Sequence, residues 1–405
     1  MSERRDSSAA LIAETERVSA PNYAPLPVVI ARAEGVWAWD VDGRKYLDCI
    51  SAYSSLNQGH RHPRIIRALV EQAGELTLTS RAVHNDRMGP FLAKLCRLAS
   101  FEMALPMNTG AEAVETAIKL ARKWAYRVKR VPRDQAEIVV CRDNFHGRTT
   151  TIVGFSSEPQ YREDFGPYSA GFRLVDFGDL DQLRAALGPH TAAFLVEPIQ
   201  AEAGVIMPPD GYLAAARALC RERNVLFVLD EIQTGLGRTG KLFAHEHEPG
   251  ADPDLLILGK ALGGGVYPVS AVLASRAIMT LLKPGDHGST FGGNPLASAV
   301  GSAALDVLVD ERLTERAADL GAHLRAGLTT LRSDRISDIR GRGLLIGIEV
   351  AAAAGSARKY CERLLERGVL AKDTHAQVIR LAPPLVIERA ELDWLVAQLR
   401  AVLLF

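Results

Sequence analysis

Between about residues 100 and 275 the chain repeats one pattern: a short unbroken apolar run, then an amphipathic stretch long enough for a helix. The runs fall at residues 138–141, 192–196, 225–229 and 255–258, with a helical pattern such as 212–223 between them. A strand apolar on both faces must be covered on both faces, so these runs predict a mainly parallel sheet between two layers of helices. In such sheets ligands gather at the carboxyl ends of the strands.

The flanking sequence reads differently. Pro25 and Pro27 impose an extended path into an alternating segment, Val36 to Leu47, broken by Asp42-Gly43, which is a hairpin signal. From Pro63 an amphipathic helix is legible, with Ile65, Ile66, Leu69, Val70, Ala73 and Leu76 as its apolar face. After about residue 300 the pattern turns to helix, then a strand over 343–350, a helix over 358–367 and a final strand and helix. The expected fold class is therefore α/β: a large mainly parallel sheet domain with helices on both faces, over 60–300, plus a smaller α+β domain over 301–405. Residues 1–59 are expected to pack with the small domain, the first 20 or so loosely held.

Lys and Arg together number 48, as do Asp and Glu, so no broad field gathers nucleic acid or an anionic membrane. A small molecule is the expected partner. The basic run Arg127, Lys129, Arg130, Arg133 reads as a solvated helix end or loop. Five isolated cysteines fit reduced, packed thiols rather than a zinc site or disulfide scaffold. No apolar stretch is long enough for a membrane span, and the acidic residues among the first 20 fit neither a secretory signal nor a mitochondrial presequence, so the cytoplasm is the expected location.

Candidate chemistry falls at the strand ends. Asp230 follows one apolar run and Lys260 another, 30 residues later. A lysine amine and a carboxylate delivered by neighbouring strand ends are what pyridoxal 5'-phosphate requires: the amine condenses with its aldehyde, and the acid keeps its ring nitrogen protonated. A strand-end aspartate also serves as a metal ligand or a helix cap, but no histidine is spaced to complete a metal site, and none is expected. Gln233, three residues on, suits the cofactor's phenolic oxygen.

Asn108-Thr109-Gly110-Ala111-Glu112 has the form of a capping box opening a helix. It is either an ordinary helix start or a phosphate site, where Gly110 lets a ligand approach the first free backbone amides. Phe145 and His146 offer either a ring to stack on the pyridine or a core phenylalanine beside a surface histidine. Arg148 carries a fork suited to a carboxylate. His287 to Pro295 is a small-residue turn in which Thr290 is a possible phosphate donor.

Together these segments, with Glu197-Pro198-Ile199-Gln200, Asp230 to Gly240 and Leu258-Gly259-Lys260-Ala261-Leu262, closely resemble the class III (subgroup II) aminotransferases of the fold-type I pyridoxal-phosphate enzymes, from about Asn22 to the C-terminus. Asn22 to Val29, Ser51-Ala52-Tyr53-Ser54, Leu76 to Arg81 and Gly265 to Ser270 resemble its ornithine aminotransferase branch. The resemblance implies that Lys260 is the Schiff-base lysine, Asp230 the ring-nitrogen partner, Gln233 a ligand of the phenolic oxygen, Phe145 the stacking ring, and Gly110 with Ala111 the phosphate cradle. Thr290 would reach the phosphate of a neighbouring subunit, which implies a homodimer with shared sites.

It further implies transfer of the δ-amino group of L-ornithine to 2-oxoglutarate, giving L-glutamate 5-semialdehyde and L-glutamate. Tyr23 and Arg148 would hold the far end of ornithine and Arg380 the α-carboxylate of glutamate, with Tyr53 also in the substrate site and Glu202 neutralising Arg380 when no such carboxylate is present. Ala201 stands where glycine is common in the family, and its methyl bears on where Glu202 sits. Alternatives are an acetylornithine or other ω-amino acid aminotransferase, or, in a different class, a pyridoxal-phosphate-binding regulator without catalysis.

Overall fold

In the computed structural model, which describes residues 7–404, Asp42-Gly43 reverses the chain as expected. β1 (Ile30–Glu34), β2 (Trp37–Asp40) and β3 (Lys45–Asp48) form an antiparallel meander. Gly43 takes a φ of 88°, open to glycine at no steric cost, and the Arg44 amide donates to Asp40 Oδ1 at 2.8 Å to close the turn. The stretch before it departs from expectation. Its first six residues lie outside the described ones, but Ser8–Val18 is a helix, capped by the Ser7 hydroxyl and burying no side chain.

The central sheet comprises β4 (Met103–Met107), β5 (Glu137–Cys141), β6 (Phe172–Val175), β7 (Thr191–Val196), β8 (Leu226–Asp230), β9 (Leu255–Leu258) and β10 (Ser270–Ala274), in the order β4-β10-β9-β8-β7-β5-β6. β10 runs antiparallel to both its neighbours, and the other pairings are parallel. Alternate residues of each strand enter separate cores: Val139, Phe194, Phe227 and Leu256 pack on one face, Val140, Leu195, Val228 and Ile257 on the other. Burial of both faces is the reason the runs are apolar throughout.

Two further groups of strands follow. β11 (Ile336–Arg342), β12 (Leu345–Val350), β14 (Lys372–Thr374) and β15 (Val378–Leu381) form an antiparallel sheet. Between them in sequence, β13 (Val369–Leu370) leaves that sheet and pairs in parallel with β3, through Val369 to Leu47 and Leu370 to Asp48. The N-terminal meander is thereby tied to the C-terminal part of the chain.

The helix Pro63–Glu75 forms, but its apolar face is only partly buried. Ile65 is covered, whereas Val70 is 64% and Leu76 38% exposed. The helix rests on the helix Pro295–Asp310, with Ile65 buried and Leu69 partly so, and among the described residues Val70 and Leu76 are left exposed.

Candidate active site

Asp230 ends β8 and Lys260 comes two residues after β9. These strands are adjacent and parallel, with Asp230 opposite Ile257, so both side chains emerge at one edge of the sheet. They line the same cavity of about 200 Å³, with Gly110, Ala111, Phe145 and Gln233. The pair that the sequence left 30 residues apart shares one compartment.

Lys260 sits at φ 44°, in the left-handed region. A side chain there costs about 1–2 kcal/mol, which the surrounding packing must offset. Burial presses its amine below the ordinary lysine pKa, and the opposing pull of Glu202 and Asp230 does not restore it. A lysine so placed surrenders its proton more readily than one in water.

Asp230 is braced from two sides. Its Oδ1 accepts the Ile232 amide at 3.1 Å, and its Oδ2 lies 2.7 Å from His146 Nδ1. His146 is buried, not at the surface, which corrects the plain alternative drawn from its sequence neighbours. Burial acts to lower its pKa, but the hydrogen bond and charge of Asp230, with Glu197 behind them, leave it above the ordinary value. Glu197, just past β7, also lines the cavity and accepts the Phe145 amide at 2.9 Å. Burial drives its carboxyl up to about 8, a rise that His146 opposes and Asp230 supports. Neither residue was singled out for a role from sequence; each acquires its setting from contacts 52 to 84 residues away.

The helix Gly110–Trp124 starts as its capping box predicts: Thr109 Oγ1 accepts the Glu112 amide, and the Glu112 carboxylate accepts the Thr109 amide at 2.7 Å. The amides of its first turn point beyond the helix end with no intrahelical acceptor. Gly147, at φ 125°, lets the following loop approach so closely that a Cβ there would stand 2.9 Å from the Ala111 Cβ. At Gly110 a Cβ would stand 2.9 Å from Ile232 Cδ1. These two glycines keep open a cradle with free donors, which fits a phosphate.

The remaining donors fit pyridoxal phosphate as well. Strand-end acid, aromatic flank and lysine share the cavity, and two buried atoms beside it, Gln233 Oε1 and His146 Nε2, have no partner in the protein. Gln233 is not free in the way the sequence suggests, because its Nε2 donates to Glu202 Oε1 at 3.1 Å. Thr290 is exposed and is not among the residues lining this chain's cavity. Its turn is docked on the cradle instead, with Asn108 Nδ2 donating to Ser289 Oγ at 3.0 Å.

Beyond Gln233 the structure brings Glu202, Arg380 and Tyr53 together. Glu202 Oε1 and Arg380 Nη1 lie 2.8 Å apart, with side chains 22% and 4% exposed, so solvent screens the pair little. Burial acts to raise the Glu202 carboxyl, but Arg380, Lys260 and its hydrogen bonds outweigh it and hold it below the ordinary value. The Ala201 methyl is accommodated: its own carbonyl accepts from Arg380 at 3.1 Å, and the Thr374 hydroxyl donates to the Glu202 carbonyl. Tyr53 faces Arg380 at 5.4 Å from ring centroid to guanidinium carbon. It sits in a left-handed turn, Ser51 to Ser54, in which all four residues have positive φ, held by Asp48 Oδ1 accepting the Ile50 and Ser51 amides. Its phenol is raised by burial first, then by Glu202 and Tyr23, so Tyr23 belongs to this neighbourhood although it is 73% exposed. Arg148 stacks 3.5 Å over Tyr161, a ring that sequence reasoning did not single out.

Comparison with known proteins agrees over nearly the whole length. The family model for class-III aminotransferases matches residues 18–403. The ornithine aminotransferase of Brevibacillus brevis is 56% identical over 393 residues, 97% of this chain and 98% of its own length; that of Bacillus subtilis is 55% identical, covering 97% of each. Among solved structures, the ornithine aminotransferase of Toxoplasma gondii, with pyridoxal phosphate at partial occupancy in its active site, superposes with a TM-score of 0.97 at 46% identity, over 98% of this chain and 94% of that one. The acetylornithine aminotransferase of Elizabethkingia anophelis gives a TM-score of 0.91 at 51% identity, over 99% of this chain and all of that one.

Proposed function

The chain belongs to the class-III aminotransferase family, and we propose on that premise that it moves the δ-amino group of L-ornithine to 2-oxoglutarate, releasing L-glutamate 5-semialdehyde and L-glutamate. The observation that carries this reading is the closed Glu202–Arg380 pair. An arginine placed for an α-carboxylate is a liability when the donor presents a terminal amine with no carboxylate beside it. With Glu202 neutralising it, the site accepts such a donor, and an incoming glutamate carboxylate replaces Glu202 without ever leaving the guanidinium unpaired.

Pyridoxal 5'-phosphate, when bound, supplies an aldehyde that exchanges amines and a protonated ring that draws electrons from the substrate carbon. Gly110 and Ala111 would hold the phosphate by their amides, Phe145 would flank the ring, and Asp230 would keep the ring nitrogen protonated. His146 fixes the rotamer of Asp230 through the contact at 2.7 Å. Lys260 Nζ anchors the cofactor and carries the proton to and from the substrate carbon, a task helped by its lowered pKa. Gln233 would serve the phenolic oxygen. Tyr23, Tyr53 and Arg148 hold the far end of ornithine; Arg380 takes the α-carboxylate of glutamate.

The same reading includes a homodimer in which Thr290 serves the partner's phosphate, supported by its exposure here and by the uncovered Val70 and Phe291. The division into segments 1–59, 60–300 and 301–405 and a location in the cytoplasm, where five unpaired thiols are at home, complete it. The likeness to an acetylornithine enzyme favours a second reading, N-acetylornithine as donor. An amino-donor panel with 2-oxoglutarate, trapping the semialdehyde, decides: ornithine should exceed N-acetylornithine in kcat/KM by at least tenfold, and the reverse order overturns the assignment.

A further inference from the structure

Tyr23 rides on a segment with few attachments of its own. Its neighbourhood makes only local backbone hydrogen bonds, Asn22 amide to Ala20 carbonyl and Val28 amide to Leu26 carbonyl. Among the described residues, one side chain from elsewhere hydrogen-bonds the backbone between Asn22 and Leu26. It is Arg358, in the helix Ala357–Glu366, whose Nη1 donates to the Ala24 carbonyl and Nη2 to the Pro25 carbonyl, each at 2.8 Å.

The fork is itself fixed. Its Nε donates to Glu362 Oε1 at 2.7 Å, one helical turn on, and Asp373 stands 3.9 Å from Nη1. Ala24 and Leu26 each precede a proline, which confines them to extended conformations. Pinning two successive carbonyls of so stiff a segment sets the direction in which the chain leaves Tyr23. Packing anchors the segment only farther on, where Leu26 is partly buried against the core; the Tyr23 side chain itself is 73% exposed.

We propose that Arg358 is a positioning residue for the amino donor, clamping the Ala24 and Pro25 carbonyls so that Tyr23 is held where it meets ornithine. This rests on the assignment of Tyr23 to ornithine made above. The clamp acts on one half of the reaction only. Arg380, which serves glutamate, lies on β15 inside a sheet and is 3% exposed, so loosening the Tyr23 segment leaves it in place.

The test is a set of half-reactions on the holoenzyme. Arg358→Ala should raise KM for ornithine about tenfold, the equivalent of losing one good charge-assisted hydrogen bond, with kcat and the glutamate half-reaction changed less than about twofold. Arg358→Lys keeps the charge for Glu362 and Asp373 but not the two-pronged donor, so it should lose ornithine affinity with the same selectivity; it also stands in if the alanine variant does not fold. In a Tyr23→Phe background, Arg358→Ala should add little. Equal losses in both half-reactions, additive effects of the two substitutions, or a lysine variant indistinguishable from wild type would overturn the clamp and leave the Tyr23 assignment standing. A silent Tyr23→Phe overturns that assignment, and the clamp with it.

Discussion

Glu202→Ala puts the most weight on the geometry. The substitution removes the carboxylate 2.8 Å from Arg380 and leaves that guanidinium, 4% exposed, with the Ala201 carbonyl at 3.1 Å and the face of Tyr53. Breaking a buried pair by deleting one partner typically costs about 3–5 kcal/mol. An α-carboxylate entering the wild-type site must first displace Glu202; in the variant it fills a vacancy and recovers part of that cost. If about half is recovered, roughly 1.5–2.5 kcal/mol, kcat/KM for donors presenting an α-carboxylate beside the reacting amine rises about ten- to seventyfold. Ornithine should suffer the converse, its own carboxylate drawn to Arg380 so that the α-amine is presented. Single-turnover half-reactions with glutamate, alanine and ornithine, followed by the cofactor's absorbance, measure all three. Unchanged preference among the donors would show that the ion pair is a fixture and not a gate.

Other consequences are equally open to measurement. Lys260→Ala should retain cofactor by spectrum and mass while steady-state transamination falls below detection; measurable turnover removes the lysine from its assigned role. Glu197 has a folded pKa of about 8 against an ordinary 4.5, so the folded state binds the extra proton and stability falls as pH rises between those values, at no more than about 1.4 kcal/mol per pH unit. Glu197→Gln should flatten that decline in thermal melts from pH 5 to 8, and an unaltered slope rules Glu197 out as its source. Arg238, fully buried, donates to Asn57 Oδ1 at 2.6 Å, to the Leu344 carbonyl at 3.0 Å and to the Pro383 carbonyl at 2.5 Å. Arg238→Met strands these acceptors and should cost about 3 kcal/mol in urea unfolding; a loss below about 1 kcal/mol would mean the acceptors find other donors.

Much of the architecture was legible because burial on both faces leaves a composition signature. Residues 138–141, 192–196, 225–229 and 255–258 read as strands for that reason, and the Thr109–Glu112 box as a helix start because both partners are local. The edge strands were not: β4 carries Pro106 and β6 is partly exposed, which dilutes the signal. The reversal of β10 was equally silent, since apolar periodicity is the same in either direction. At the site, Lys260 and Asp230 could be paired by topology. His146 could not be read as the buried partner of Asp230, because a histidine beside a phenylalanine has the same local sequence whether it is solvated or enclosed. Arg358 sits on a helix whose two arginines look interchangeable in sequence until one is seen to hold the Tyr23 segment.

The amino-acid order by itself determined the kinds of element and the positions of the reactive groups along them, because strand periodicity, capping and turn chemistry act over a few residues. Which groups meet was decided by tertiary structure: the register of β8 on β9, the return of β13 to the N-terminal meander, and the enclosure that shifts Lys260, Glu197 and His146 from their ordinary acidities. Electrostatics and desolvation depend on distance in space, and separation along the chain carries almost no record of it.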